Sequence, residues 1–317
     1  METSQHPINS GFGERTTARE IAATADLTGK RVVITGGYAG LGLETTRVLA
    51  DRGAEIIAGA RDVEKATKNL AGIPRVTVRP LDLADRASID RFADDVLASV
   101  DAIDLLINNA GIMATPLMRD ARGYEMQFAT NHLGHFQLTN RLLPALERRG
   151  ACVVSLTSAG HRFSGVDFDD PNFLNRPYDK WKAYGQSKSA NSLFAVELDA
   201  RVKDRGVRAF AVHPGRILDT ELVRYISIED LIAAGIRRPD GSLDQSSTKT
   251  VEQGAATTVW CATTAQLDGL GGVYCADCDI SPIVPDDSKS LTGVRSWAID
   301  KAMAERLWEL SGQLVEG

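Results

Sequence analysis

Short apolar runs alternate along the chain with longer stretches in which apolar residues recur every three or four positions. The first run, Arg31-Val32-Val33-Ile34-Thr35, suits a strand buried on both faces. A glycine-bearing turn follows it, and then a stretch from Leu41 to Asp51 whose Leu41, Val48 and Leu49 recur at helical spacing. The same reading predicts strands at 55–58, 75–78, 105–107, 152–155 and 207–212, and a last one near 272–274. Helices are predicted near 62–70, 86–99, 121–149, 181–204, 251–264 and 299–313. Repeated strand-helix-strand order implies parallel strands joined by right-handed crossovers, hence an α/β fold: a doubly wound, Rossmann-type parallel sheet with helices on both faces. Residues 1–28 form an arm, in which Thr17 and Glu20 have the spacing of a capping box and predict a short helix. No repeat or linker interrupts 29–317, which reads as a single domain, with 216–250 as an inserted flap over the substrate.

Composition narrows the classes of function. The chain has 317 residues, 43% of them hydrophobic and 25% charged, ordinary values for a globular protein. Its net charge of -6, with no run of Lys or Arg, argues against a nucleic-acid partner. No apolar stretch approaches the roughly 18 to 20 residues needed to span a bilayer. The first twenty residues lack the apolar core of a secretory signal, so the expected location is cytoplasmic. Of the four cysteines, Cys152 and Cys261 lie in apolar contexts, whereas Cys275 and Cys278 form a Cys-x-x-Cys pair. A zinc site needs a second ligand pair and none follows; packed thiols are expected there, with a redox dithiol as the alternative. His135 and His161 have no carboxylate-rich surroundings in sequence, so no metal site is expected.

Two local patterns carry chemistry. Thr35-Gly36-Gly37-Tyr38-Ala39-Gly40-Leu41-Gly42 lies between the first strand and the first helix. Glycines there let the backbone turn sharply and admit a pyrophosphate, and the helix N-terminus then offers free N–H groups to the anion. Tyr184 and Lys188, four residues apart in a predicted helix, share one face. A free Tyr titrates near about 10, and a neighbouring ammonium is expected to bring it toward neutral pH, as a proton-transfer group requires. The spacing T-G-x-x-x-G-x-G then recurs in company: Asp82, Asn108-Asn109-Ala110-Gly111, Asn131, Ser158, Tyr184-x-x-x-Lys188 and His213-Pro214-Gly215 follow in order. This ordered set resembles the short-chain dehydrogenase/reductase family. The context Asn131-His132-Leu133-Gly134-His135-Phe136 and the long stretch before Tyr184 resemble its retinol-dehydrogenase-like and protochlorophyllide-reductase-like branch.

The resemblance implies an oxidoreductase that interconverts an alcohol and a carbonyl, with Asn131, Ser158, Tyr184 and Lys188 as its catalytic set. In it Tyr184 is the general acid or base, and Ser158 donates to the substrate oxygen. Lys188 also holds the nicotinamide ribose, and Asn131 holds a water that links Lys188 to solvent. Thr157, beside Ser158, is read as structural. Cofactor contacts are expected at Thr35, Gly36, Tyr38, Gly40, Leu41 and Gly42, at Arg61, and at Asp82 and Leu83. Asn109, Ala110, Gly111, Tyr184, Lys188, Pro214, Gly215, Ile217 and Thr220 complete that set. The position that carries an acid in NAD enzymes is taken here by Ala60, followed by Arg61, which selects NADP(H): a guanidinium binds a 2′-phosphate that a carboxylate would repel.

Three features depart from the family pattern. Tyr38 stands where relatives carry a small polar residue, so it either alters the turn or covers the cofactor. Thr220 follows Pro214-Gly215 one residue later than the Thr expected to contact the carboxamide. Phe163, Phe168, Phe173, Tyr178 and Trp181 lie in a long segment that either walls a medium-sized, apolar substrate site or anchors a surface loop. Pairing of two copies through the Tyr184 helix is a further implication, unless that segment covers the surface. A carbon–carbon double-bond reductase and a non-catalytic NADP(H) sensor remain as alternatives.

Overall fold

The computed structural model describes residues 5–218, 220–233, 237, 238, 240, 242, 248–288, 290 and 292–317. Part of the expected flap, residues 219, 234–236, 239, 241 and 243–247, therefore lies outside the described residues. The chain begins with a short helix α1 (Ala18–Ile21), closed by the capping box that Thr17 and Glu20 predict. Strand and helix then alternate: β1 (Arg31–Thr35), α2 (Gly40–Asp51), β2 (Glu55–Ala60), α3 (Val63–Asn69), β3 (Val76–Pro80), α4 (Arg86–Ser99) and β4 (Leu105–Asn108). The second half runs α5 (Met126–Phe128), α6 (Gly134–Leu146), β5 (Ala151–Leu156), α7 (Lys180–Val202) and β6 (Val207–His213). It ends with α8 (Ile228–Ala233), α9 (Val251–Thr263), β7 (Val273–Ala276), β8 (Asp279–Ile280) and α10 (Lys301–Glu316).

Among the described residues the strands form one sheet in the order β3-β2-β1-β4-β5-β6-β7-β8, parallel except for the β7–β8 pair. Period-two alternation explains how one sheet feeds two cores. Val32, Ile34, Ile56, Ile107, Val154 and Phe210 point to one face and pack with Val48, Leu49, Val259 and Trp260 of α2 and α9. Val33, Leu106, Val153 and Ala209 point to the other, against Phe92, Leu142 and Phe194 of α4, α6 and α7. The chain reverses its direction of growth between β1 and β4, and at such a switch point the loops after the strand ends part to leave a crevice.

Several elements differ from the sequence reading for identifiable reasons. The helix expected from 121 starts at Met126, because Asp120 Oδ1 accepts the N–H groups of Arg122 and Tyr124 and folds that segment into a turn. A single π-helical turn, Ala129–Leu133, precedes α6. The N-terminal arm is a docked element: the Gln5 amide bonds Tyr274 N and O and Ser281 O, and α1 packs on α9. The two-residue strand β8 was too short to register as a period. Cys275 and Cys278 bracket the β7–β8 turn as buried free thiols, and burial pushes the Cys278 thiol up to about 11.

Helix α7 is buried along nearly its whole length, between the sheet on one side and α10 on another. Trp308 of α10 stacks on Phe194 with centroids 6.0 Å apart and planes at 5°. Leu307, 1% exposed, fills a pocket with Phe128, Leu133 and Leu193. Leu307→Ala is expected to destabilise the protein by about 2–5 kcal/mol, the usual range for a buried Leu truncation. Urea unfolding checks this as a lower midpoint at unchanged slope; an unchanged midpoint would mean that α10 contributes little to the fold.

Candidate active site

The glycine turn owes its shape to contacts that a side chain would destroy. Gly36 has φ +64, and a Cβ on Gly42 would lie 2.3 Å from Gly36 O. Helix α2 begins at Gly40 after Ala39, which supplies no side-chain cap, so the first-turn N–H groups face the crevice uncapped. Thr35 holds the turn to the β4 loop: its Oγ1 accepts from Asn109 N at 3.0 Å and Ala110 N at 2.9 Å. The Asn109 amide donates back to Thr35 O at 2.8 Å.

These residues open onto a cleft of about 1120 Å³ at the C-terminal edge of the sheet. Its wall contains Thr35, Gly36, Tyr38, Gly40, Leu41 and Gly42, then Arg61, Asp82 and Leu83, then Asn109, Ala110 and Gly111. Ser158, Tyr184 and Lys188 line the same cleft, as do Pro214, Gly215, Ile217 and Thr220. Arg61 is exposed at the end of β2 and makes no hydrogen bond or ion pair among the described residues. Asp82 Oδ1 caps Ala84 N, and Leu83 packs on Gly134, where a Cβ would lie 2.3 Å from Leu83 O. The Thr220 methyl stands over Gly40, 3.0 Å from where a Cβ there would be, which places it at the glycine turn. Tyr38 is half-buried against the core beneath α2, and its carbonyl is held by the Asn69 amide.

Tyr184 is 3% exposed and shares a hydrogen bond with Ser158, whose Oγ also caps Gly160 N. Lys188 Nζ lies 5.7 Å from the Tyr184 ring centre and donates to Leu156 O at 2.9 Å. Burial pushes the Tyr184 phenol up to about 12 and the Lys188 ammonium down to about 7. The sequence expectation of a lowered Tyr184 thus meets a stronger opposing force: both groups are taken out of water, which disfavours each charged form.

Asn131 stands behind the wall. Its Oδ1 accepts from Ile112 N, and its Nδ2 donates to Ile112 O and Ser187 Oγ, so it ties the β4 loop to α7. Thr157, buried, donates to Lys188 O at 2.7 Å. The aromatic segment divides: Phe163 and Trp181 line the cleft, with centroids 5.9 Å apart, whereas Phe173 and Tyr178 pair with each other as an anchor. Phe168 joins that anchoring group by packing beside α10.

Three histidines that sequence reading left without a role hold the site from behind. Thr35 Oγ1 has both lone pairs engaged by N–H donors, so its own proton goes to His135 Nε2 at 2.8 Å. His135 is therefore the neutral Nδ1–H tautomer, donating to Asn131 O at 2.9 Å. His161 Nε2 accepts from Arg295 N, so Nδ1–H donates to Ser158 O at 2.8 Å. His213 Nδ1 accepts from Ala159 N at 3.2 Å. Burial lowers all three, His135 and His161 to about 4 and His213 to about 3, which keeps them neutral. Each has one partner far along the chain, Thr35 for His135 (100 positions), Arg295 for His161 (134) and Ala159 for His213 (54), which no local sequence signal marks.

The glycine turn, the uncapped helix and the Ser158/Tyr184/Lys188 wall form one continuous surface, and comparison with known proteins gives it a family. The sequence model described as short chain dehydrogenase matches residues 30–230. The chain belongs to the short-chain dehydrogenase/reductase family. A protein of Streptomyces lividans named "Probable oxidoreductase" is 42% identical over 292 residues, covering 90% of this chain and 97% of that one. Retinol dehydrogenase 12 of Homo sapiens is 38% identical over 290 residues, 89% of each chain. The crystal structure of an uncharacterized protein from Mycobacterium paratuberculosis matches with a TM-score of 0.71 at 35% identity, covering 93% of this chain and 97% of that one. The chain is thus an oxidoreductase of the retinol-dehydrogenase-like branch, in a family that works with nicotinamide cofactors. No helix among the described residues is long and apolar enough to cross a membrane. The face of α7 that packs on α10 is occupied within the chain itself.

Proposed function

We propose that the protein is an NADP(H)-dependent oxidoreductase that interconverts an alcohol and a carbonyl on a medium-sized, apolar substrate. The observation that carries this reading is the single cleft wall shared by the glycine turn, Arg61 and the Ser158/Tyr184/Lys188 group. The donor set fits a dinucleotide: uncapped N–H groups of α2 for a pyrophosphate, and Arg61 beside Ala60 for a 2′-phosphate. When bound, the nicotinamide supplies or accepts the hydride. Tyr184 then gives a proton to the substrate oxygen in reduction, or takes it in oxidation, while Ser158 holds that oxygen by hydrogen bonding. Lys188, 5.7 Å from the Tyr184 ring centre, would hold the nicotinamide ribose and, in its protonated form, would add positive charge beside the phenol. The apolar character rests on Phe163 and Trp181 and on Leu222, Val223, Ile226 and Leu231 of the segment after Thr220, all of which line the cleft.

Fluorescence titration with NADPH and NADH, followed by oxidation of the preferred cofactor against aldehydes and ketones, tests the whole reading. Tight NADPH binding with carbonyl turnover is expected; failure to bind either cofactor would overturn it. The cofactor choice has its own check. Arg61→Ala is expected to weaken NADPH by about tenfold or more, the loss of a charge-assisted hydrogen bond, and NADH hardly at all. Equal losses for both would remove the basis for assigning NADP(H).

A further inference from the structure

Among the described residues that line the cleft, a single buried side-chain nitrogen or oxygen has no hydrogen-bond partner: Arg162 Nη1. Arg162 belongs to the 3₁₀ turn Ala159–Phe163 that leaves Ser158 at the end of β5, three strands across the sheet from β2, which Arg61 follows. Its guanidinium lies 4.9 Å above the centre of the Phe163 ring, which fixes its plane against the aromatic wall. The charged neighbours that act on it are Arg216 and Arg295, both cations. Among the described residues the acids of the cleft are engaged elsewhere: Asp277 with Lys249, Asp230 with Lys180, Glu221 with Lys65, and Glu14 with Arg15. Asp279 accepts from Ile8 and Ser10 N–H groups, and Asp82 caps Ala84 N. A guanidinium stays charged in proteins, and a half-buried one lining a cleft with no acid beside it among the described residues favours an anionic group there.

We propose that the substrate is an apolar carbonyl or alcohol compound bearing a carboxylate, and that Arg162 binds that carboxylate through the part of its guanidinium that faces the cleft. The substrate's chain would lie along Phe163 and Trp181. Arg162 is thereby a specificity residue: it selects among substrates by their anionic group and takes no part in the proton transfer. This inference rests on the alcohol/carbonyl reading given above, and the experiment separates the two.

The first arm is binding, which needs no turnover. Decanoate and decanol, below their aggregation limits, are titrated into the wild type and Arg162→Gln by thermal shift, with and without NADPH. Decanoate is expected to bind the wild type about tenfold or more tightly than decanol, the ratio a charge-assisted hydrogen bond gives. In Arg162→Gln that ratio is expected to fall to about one. Arg162→Lys keeps a charge without the planar fork and is expected to fall between; it serves also if the Gln variant does not fold. The second arm compares kcat/KM for 10-oxodecanoate and decanal, with the same ratios expected. Equal affinity for decanoate and decanol in the wild type, or a preference that survives in Arg162→Gln, would overturn the proposal. Decanoate preference without turnover of either aldehyde would keep the anion site and remove the carbonyl reading. Turnover of both aldehydes at equal kcat/KM would do the reverse.

Discussion

Tyr184→Phe is expected to lose turnover by about 100- to 10,000-fold, the range for removing a positioned proton donor, while binding NADPH within a few fold. The geometry makes this substitution a narrow one. The ring is 3% exposed, and its edge rests against Gly160, where a Cβ would lie 2.6 Å from Cε1. A phenylalanine ring fills the same space, so the packing that holds Ser158 and α7 together survives. Ser158 Oγ keeps its bond from Gly160 N and loses only the phenol. What disappears is the hydroxyl that the proposed reaction uses to exchange a proton with the substrate oxygen. Steady-state rates, paired with cofactor titration of the same preparations, separate this from a folding defect. A near-normal rate would sink the assignment of Tyr184.

Features that depend on neighbours in sequence were legible, and those that depend on neighbours in space were not. The glycine turn, Tyr184/Lys188 and the capping box at Thr17/Glu20 each act through local spacing, and each lies where the spacing put it. The strands were legible because a sheet buried on both faces writes itself as short apolar runs. Asp120 defeats the helix expected from 121 because helical periodicity carries no mark for an Asx turn. The arm was illegible in its docking because Gln5 finds its partners 269 and 276 positions away, at Tyr274 and Ser281. The histidines at 135, 161 and 213 read as isolated residues until their partners come together in space. The electrostatics of the Tyr184/Lys188 pair differ from the sequence expectation for a related reason. Sequence shows that an amine lies one helical turn from a phenol, but it does not show that the turn at Gly160 packs on the phenol ring, that the end of β5 holds the amine, and that both are taken out of water.

That burial has a measurable consequence at Lys188. A lysine ordinarily titrates near 10.5, and here burial lowers it to about 7, with one backbone carbonyl, Leu156 O, as its hydrogen-bond partner. Between about pH 7 and 10.5 the unfolded chain keeps a proton on Lys188 that the folded chain has released. Stability therefore rises with pH across this window and is lowest below about pH 7, where folding must bury the ammonium. Lys188→Met keeps most of the volume and removes the charge. The variant is expected to be more stable than the wild type, on the order of a few kcal/mol at neutral pH and below. The gap is expected to close as pH approaches about 10.5, and denaturant unfolding at several pH values measures it. The same variant is expected to lose turnover by at least about 100-fold, because the phenol loses its cationic neighbour and the cofactor ribose a donor. A gain in stability coupled to a loss of rate is the signature of a charge kept buried for chemistry. If Lys188→Met proves less stable at every pH, the ammonium holds the fold together in its own right. Lys188 would then be structural, and the proton-transfer reading would rest on Tyr184 and Ser158 alone.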